Sequence, residues 1–377
     1  MDSMIPPGSG SGTPPPFQVP PPVISPPPSV RPPRRWGWIV ISMVLLMLLV
    51  ISLTFNAGSF LSGLAGVSTV QRRASGPRLD EVVKESGSRE KIAVLSVEGI
   101  ISSHLGGRGG FSLVDLVKAQ LDRAAADEAV KAVILRVDSP GGEVLASDDI
   151  ARLLTKFQDT AYKPVVVSMG SLAASGGYYI SAPCSWIVAN PLTITGSIGV
   201  IMHGYNYRGL MDKIGLRPEV YKSGKFKDML SGDREATEIT AEERAMVQKL
   251  IDETYGQFKA VVAEGRKSAA KTNAEARPLA EDWQEYADGR VLSGKEAYEL
   301  GLVDELGDFD TAVARARKLG ELTKKPTLVE YRLRLDFSDL FSIWGESEAK
   351  VVKVDLGVET SQLRPGCMYF LLPTYLR

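Results

Sequence analysis

The chain has 377 residues, of which 44% are hydrophobic and 24% are charged, so most of it can bury an ordinary hydrophobic core. Lys and Arg number 44 and Asp and Glu number 45, and this balanced charge gives no electrostatic footprint for nucleic acid. The two cysteines, Cys184 and Cys367, lie far apart and outside any CxxC spacing, which argues against a disulfide framework and against a zinc site.

The N-terminal part separates into a polar leader and an apolar segment. Residues 1–35 are rich in proline, glycine and serine, a composition that predicts a disordered tail. Residues 36–56 include about twenty residues without a charge, the length that a helix needs to cross a bilayer. A cleaved signal peptide is the competing interpretation, but the long leader and the long apolar core favour an uncleaved anchor. Arg31, Arg34 and Arg35 precede the anchor, so the positive-inside rule predicts a single-pass inner-membrane protein with a cytoplasmic N-terminus and an extracytoplasmic remainder.

Three regions follow the predicted anchor. Residues 57–90 are small and polar and predict a stalk, residues 91–320 predict the folded domain, and residues 321–377 form a C-terminal extension of unknown role. Within the folded domain, β-branched runs such as "AVKAVILRVDSPGG" alternate with helical stretches such as "SDDIARLLTKFQDT". This alternation predicts an α/β fold with parallel strands joined in βαβ units. Thr240 and Glu243 predict a capping box at the start of a long helix.

The C-terminal extension shows two further patterns. From about residue 326, apolar side chains such as Val329 and Tyr331 alternate with charged ones, which predicts a strand. The last eleven residues, "CMYFLLPTYLR", are unusually apolar for a free end. We expect this end to dock into a hydrophobic groove of the protein's own assembly.

Two glycine-rich turns are candidates for catalytic chemistry. "SLAASGGYY" follows an apolar run and places Ser175 where a helix begins, with the free amide of Gly176 beside it. "DSPGGEV" also follows a predicted strand, and its second glycine, Gly142, can present its amide to a cleft. A serine nucleophile needs a base and two donors for the oxyanion, and Gly142 and Gly176 can supply those donors.

The base that would activate Ser175 is left open by these residues. His104 lies in a glycine-rich loop that is typical of solvated side chains, whereas His203 is the candidate for a Ser-His arrangement. The alternative is a lysine of "YKSGKFKDML", which holds Lys222, Lys225 and Lys227. A lysine base must be neutral, which requires burial to lower a lysine pKa from about 10.4 to about 7 or 8.

Five motifs, "VDSPGGEV", "GSLAASGGYYISA", "TGSIGVI", "YKSGKFKDM" and "ADGRVLSGKEAYELGLVDELG", occur in an order and spacing that resemble the signal peptide peptidase SppA family of membrane-anchored serine proteases. The resemblance covers about residues 90–320. It implies that Ser175 is the nucleophile, that Lys227 is the general base, that Ser197 orients this lysine, and that Gly142 and Gly176 form the oxyanion hole. A third lysine, Lys225, at a variable position is a departure from the family pattern.

The resemblance also implies a Clp protease/crotonase-like fold with repeated ββα and βαβ units, assembled into a homo-oligomeric ring whose active sites form between neighbouring subunits. It implies cleavage of hydrophobic peptides, including remnant signal peptides, without a metal or an organic cofactor. Two other classes remain open at this point: a crotonase-type acyl-CoA enzyme, and a catalytically silent scaffold that recruits partners through its proline-rich tail.

Overall fold

The computed structural model describes residues 40–50, 52, 76–103, 111–334 and 368–371. The chain divides into two compact units, Met1–Arg73 and Ala74–Arg377.

In the first unit, residues 40–50 form a helix, α1, whose large hydrophobic side chains are exposed. Within the described residues, no helix combines the length and the hydropathy that a membrane crossing requires. The predicted leader, residues 1–35, lies outside the described residues. Of the predicted anchor, residues 36–56, the structure describes residues 40–50 and residue 52.

The described residues of the second unit form strands and helices in alternation. The strands are β1 (Leu79–Glu85), β2 (Lys91–Glu98), β3 (Val130–Ser139), β4 (Gly141–Glu143), β5 (Val165–Ala173), β6 (Trp186–Ala189), β7 (Ile194–Gly196), β8 (Ile201–Met202), β9 (Val291–Ser293), β10 (Glu305–Leu306), β11 (Thr327–Leu333) and β12 (Met368–Leu371). The helices are α2 (Leu113–Ala126), α3 (Val144–Ala161), α4 (Gly176–Ser181), α5 (Arg208–Lys213), α6 (Ala241–Thr272), α7 (Gly294–Glu299) and α8 (Phe309–Leu319), and Trp283–Tyr286 adds a 3₁₀ turn.

The main sheet has the strand order β1-β11-β2-β3-β5-β6-β10, and β7 and β9 extend it beyond β5. From β11 to β10 every neighbouring pair along this order is parallel, and β1 pairs antiparallel with β11. A smaller sheet has the order β4-β12-β8. The prediction of an α/β fold with parallel strands is therefore confirmed.

Both faces of the main sheet are covered by helices, which explains the nearly continuous apolar runs of its central strands. Leu135 and Val167 belong to the larger hydrophobic cluster, to which α2, α3, α4 and α6 contribute. The residues directly before them, Ile134 and Val166, belong to a second cluster with residues of α8 such as Ala312. Successive side chains of one strand thus stabilise opposite faces, as the pleat of a strand requires.

The sheet extends beyond the limits that the composition suggested for the folded domain. Leu79–Glu85 lies in the predicted stalk, yet it forms β1 and pairs with β11. Thr327–Leu333 lies in the predicted extension, forms the expected strand, and pairs in parallel with β2. Local composition missed β1 because its side chains are mostly exposed or half-buried and leave a weak alternation in the sequence.

The long helix predicted after residue 240 is confirmed as α6. Its N-cap, Thr240, accepts a hydrogen bond from the Glu243 amide, and the Glu243 carboxylate accepts one from the Thr240 amide. This capping box satisfies two amides that a helix start would otherwise leave without a partner.

Candidate active site

Ser175 lies in the sharp turn between β5 and α4. Its φ of 53° and ψ of −115° are unusual for a residue other than glycine, and its exposed fraction is 1%. Of the five non-glycine residues with positive φ that the described part of the chain contains, Ser175 is one and Ser197 is another. Backbone strain of this kind persists where the surrounding structure fixes it, and it concentrates at functional sites. The geometry is that of a nucleophile elbow, a serine held between a strand and a helix.

The backbone of Gly176 contacts the glycine pair that follows β3. A Cβ added to Gly176 would lie 3.1 Å from the Gly142 amide nitrogen and 2.6 Å from Ser147 Oγ. A Cβ added to Gly141, whose φ is +102°, would lie 2.6 Å from the Gly176 amide nitrogen. Glycine is therefore required for these backbones to approach each other. The backbone of Gly141 and Gly142 therefore lies directly beside that of Gly176, which is the proximity that two donors of one oxyanion hole need.

Two polar side chains at the end of β3 fix the backbone around the two glycine turns. The Ser139 hydroxyl donates to the Gly99 carbonyl at 2.6 Å and accepts from the Gly141 amide at 3.1 Å. The Asp138 carboxylate accepts from the Leu172 amide at 3.1 Å, which ties β3 to β5 near the nucleophile turn. The sequence analysis missed both roles. The sequence signal for these roles is that both residues lie directly before a tight turn, where Asp and Ser side chains often form hydrogen bonds with the backbone.

Ser197 follows β7 and lies in a second strained turn, with a φ of 50°. The Ser175 amide donates to the Gly196 carbonyl at 2.8 Å, so this hydrogen bond joins the two turns directly. Ser197 is buried, and it lines a cavity of about 560 Å³. The structure therefore places the turn of Ser197, the predicted lysine-orienting residue, against the turn of Ser175, the predicted nucleophile.

The predicted base, Lys227, does not join this group within one chain. Lys222 forms an ion pair with Asp228 at 2.7 Å, and Lys225 forms one with Glu242 at 2.5 Å. Lys227 is exposed, and among the described residues its side chain forms neither an ion pair nor a hydrogen bond, with Ser175 or with any other group. Of the predicted site residues, Ser175, Gly176, Gly142 and Ser197 thus come together, and Lys227 stands apart.

The histidines give Ser175 no alternative base within the described residues. His203 is half-buried, and its ring lies 4.8 Å from the ring of Tyr205. No hydrogen bond connects His203 with Ser175 in the described part of the chain. His104 lies outside the described residues.

Helix α4 carries an aromatic residue that the sequence analysis did not single out. The Tyr179 hydroxyl donates to Asp148 at 2.7 Å, and burial together with this acceptor raises the pKa of Tyr179, so the side chain stays neutral. Its ring lies 4.9 Å from that of Phe258 on α6, in an edge-to-face arrangement.

Burial raises the pKa of the Cys184 thiol to about 12, which makes this side chain a poor competing nucleophile.

Four residues of the apolar C-terminus dock within the chain itself. Strand β12 lies between β4 and β8, and Leu371 lines the same cavity as Ser197. Met368–Leu371 thus pairs with strands of its own chain, whereas the docking into a groove of the assembly stays a prediction; the flanking residues, including Cys367, lie outside the described residues.

Comparison with known proteins relates the chain to peptidases. The sequence profile of peptidase family S49 matches residues 157–323. A candidate signal peptide peptidase SppA of Enterococcus faecium is 39% identical over 257 residues, which cover 67% of this chain and 70% of that protein. A candidate protease of Synechocystis is 39% identical over 280 residues, which cover 74% of this chain and 91% of that protein. Protease 4 of Salmonella typhi is 40% identical over 208 residues, which cover 55% of this chain and 31% of that protein.

Proposed function

Because this chain belongs to peptidase family S49 and is a serine peptidase, we propose that it is a membrane-anchored endopeptidase that degrades cleaved signal peptides and other hydrophobic peptides with a Ser175–Lys227 dyad. One observation carries the assignment of the site. The strained turn of Ser175 meets the amides of Gly142 and Gly176 on one side and the turn of Ser197 on the other. The finer description of the fold as Clp protease/crotonase-like is part of this proposal, and the largely parallel sheet with helices on both faces supports it.

In the proposed reaction, Ser175 Oγ attacks the carbonyl carbon of the scissile peptide bond while Lys227 Nζ accepts the hydroxyl proton. The carbonyl oxygen becomes an oxyanion that accepts from the amides of Gly142 and Gly176. Lys227 then donates its proton to the leaving amine as the C–N bond breaks, and an acyl ester remains on Ser175. A water molecule attacks this ester while Lys227 accepts a proton from it. As the bond between the acyl carbon and Ser175 Oγ breaks, Lys227 returns this proton to Ser175 Oγ, and the second product leaves as a carboxylic acid. Ser197 orients the amine of Lys227 throughout.

The proposed dyad needs a second copy of the chain, because Lys227 of the same chain does not reach Ser175. Residues 203–240, which we call the lysine arm, carry Lys227 and expose many large apolar side chains to solvent. These are Tyr205, Tyr207, Leu210, Ile214, Leu216, Val220, Tyr221 and Leu230. Exposed apolar groups in such number are typical of an interaction surface. A head-to-tail contact, in which each copy inserts its lysine arm beside the next copy's Ser197, closes into a ring and completes every site.

We further propose that the anchor tethers the peptidase to a membrane. Residues 36–56 carry no charge, and arginines abut them on the N-terminal side, which supports a cytoplasmic leader and an extracytoplasmic peptidase. The exposed apolar side chains of α1 suit a lipid environment. Such a tether would keep the peptidase on the same membrane as the hydrophobic peptides released into it.

Hydrolysis of a synthetic signal peptide by the detergent-solubilised full chain tests the proposal. We expect Ser175→Ala and Lys227→Met to lower kcat/KM by about 10²–10⁴-fold or more, because each removes one reacting group. Lys225→Met is the matched control on the same arm and His203→Ala is the control for a Ser-His arrangement, and both should keep near wild-type rates. Light scattering verifies that every variant assembles as the wild type does.

Each contrary result has a distinct meaning. Full activity of Lys227→Met, with loss in His203→Ala, would transfer the role of base to the histidine. Full activity of Ser175→Ala would refute the site itself. A wild-type chain that binds coenzyme A and hydrolyses no peptide would instead indicate an acyl-CoA enzyme, and a chain that does neither would indicate a scaffold.

A further inference from the structure

The lysine arm has no hydrophobic core of its own. Every residue from 203 to 240 is exposed or half-buried, and none of them is buried. Burial of apolar surface, which stabilises most of a folded domain, therefore contributes little to the position of the arm. Polar contacts must instead fix where residues 222–229, which we call the lysine loop, lie relative to the rest of the domain.

Arg234 makes the contacts that join the arm to helix α6. Its Nη1 donates to Glu243 Oε1 at 2.5 Å, and its Nη2 donates to the Glu238 carbonyl at 2.6 Å. Glu243 is only 3% exposed, and its other contacts form the capping box with which α6 begins. Hydrogen bonds between charged groups are stronger than those between neutral groups. Arg234 is thus anchored on the first turn of the long helix.

The same guanidinium also contacts the lysine loop. Its Nε lies 3.6 Å from Asp228 Oδ2, and both side chains are less than 15% exposed. Each oxygen of the Asp228 carboxylate accepts from Lys222 Nζ at 2.7 Å. These hydrogen bonds, together with the charge of Arg234, hold the pKa of Asp228 below its ordinary value, so the carboxylate stays ionised. Arg234 thus bridges two carboxylates, one at the start of α6 and one directly after Lys227.

The backbone around Arg234 is tied to the beginning of the arm as well. The Asn206 side-chain amide donates to the Arg234 carbonyl at 2.9 Å. The Tyr207 amide donates to the Gly232 carbonyl at 2.8 Å. Three segments that are distant in sequence therefore meet at Arg234, namely the beginning of the arm, the lysine loop and the first turn of α6.

We propose that Arg234 is a positioning residue for the reaction, which holds the lysine loop, through Asp228 and Glu243, at the place from which its base reaches a second copy of the chain. The proposal rests on the proposed function, since it assumes that a lysine of this loop accepts the proton of Ser175. Arg234 itself contacts none of the reacting atoms. Arginine suits this task because its planar fork meets several acceptors at fixed angles, whereas lysine presents a single point charge.

Amide hydrogen exchange tests the placement of the lysine loop without catalysis. The amides of Lys227, Met229 and Ser231 donate to carbonyls three residues earlier, so their exchange reports on the order of the loop. In the detergent-solubilised full chain, Arg234→Met should raise exchange across residues 222–233 about ten-fold, because a charge-assisted contact is lost, and should leave the central strands unchanged. Arg234→Lys, which keeps the charge, should show a smaller rise. The matched control is Arg244→Met, which removes an exposed arginine one position after Glu243 and should exchange as the wild type does.

The kinetics of peptide hydrolysis show whether this placement matters for the base. Arg234→Met should lower kcat about 100-fold, the loss that a displacement of a reacting group by about 1 Å can cause. KM should stay within about two-fold, because the half of the site that holds Ser175 and Ser197 is untouched. Arg234→Lys should recover part of the lost kcat, and Arg244→Met should keep the wild-type value. Light scattering selects assemblies of wild-type size for each measurement.

The outcomes separate this proposal from the proposed function. Unchanged exchange across residues 222–233 in both Arg234 variants would overturn it, as would raised exchange with a wild-type kcat. Raised exchange throughout the domain, together with a lower melting temperature, would make Arg234 an ordinary part of the fold and would also overturn it. If the wild-type chain hydrolyses no peptide, the proposed function fails, and hydrogen exchange still decides whether Arg234 holds the lysine loop.

Discussion

A mixing experiment with two inactive variants tests where the base comes from. Ser175→Ala removes the proposed nucleophile from the half of the site that also holds Ser197, and Lys227→Met removes the proposed base from the lysine arm. In a single chain these two halves do not meet, since no hydrogen bond joins Ser175 with Lys227 among the described residues. Assembled copies that each carry one defect can therefore form sites in which both groups are intact.

The size of the recovered activity follows from this geometry. In the proposed assembly, each site takes its serine half from one copy and its lysine arm from the neighbouring copy. In an assembly made randomly from equal amounts of the two variants, half of the serine halves and half of the lysine arms are intact, so about one quarter of the sites are complete. Two co-expressed variants with different affinity tags, purified through both tags, should recover activity of this order on a synthetic signal peptide.

A second mixture serves as the control, and one result of the first mixture would refute the idea of a shared site. Ser175→Ala and Ser197→Ala both damage the same half of the site, so their mixture should show no more activity than Ser197→Ala alone, however the copies assemble. Activity at the background level in the Ser175→Ala and Lys227→Met mixture would show that the base does not come from a second copy, provided that the assemblies pass both affinity tags and keep the wild-type size in light scattering.

Three further predictions concern the scaffold of the site. Gly142→Ala should lower kcat/KM at least about 100-fold, because a Cβ there would overlap the backbone of the neighbouring segment and displace an oxyanion donor; unchanged kinetics would contradict that role. Arg266→Met should lower the free energy of unfolding by about 3–5 kcal/mol in urea titrations, since it leaves Asp304 buried without its cation, and a loss below about 1 kcal/mol would count against it. The hydrogen bond from Arg234 holds the pKa of Glu243 at about 2, below the value of 4.5 for a free side chain, so the unfolding free energy should fall as the pH falls from 4.5 towards 2. In thermal melts, we expect the stability of Glu243→Gln to fall less over that pH range than the stability of the wild type. An equal fall in both proteins would exclude Glu243 as the source of the pH dependence.

Local sequence patterns were sufficient for the parts of the site that depend on one turn or one helix. The glycines around Ser175 indicated a tight turn after a strand, because only residues without a Cβ allow such a close approach of backbones. The Thr240 and Glu243 pair fixed the start of α6, since a capping box is made by residues three positions apart. The alternation of apolar runs and helical stretches likewise indicated parallel strands.

Contacts between distant segments were decided only by the tertiary structure. The turns after β3 and β5 meet because these two strands are parallel neighbours, so their carboxyl ends share one edge of the sheet. The short β12 pairs with β4 although its sequence shows only that the end of the chain is apolar. Strand order, and the choice of which apolar segment fills a given groove, depend on the free energy of packing the whole domain, which no local pattern contains. The sequence by itself therefore predicted which residues carry the chemistry, and the packed fold determined that Ser175, Ser197 and the glycine backbones meet while Lys227 of the same chain makes no hydrogen bond with them.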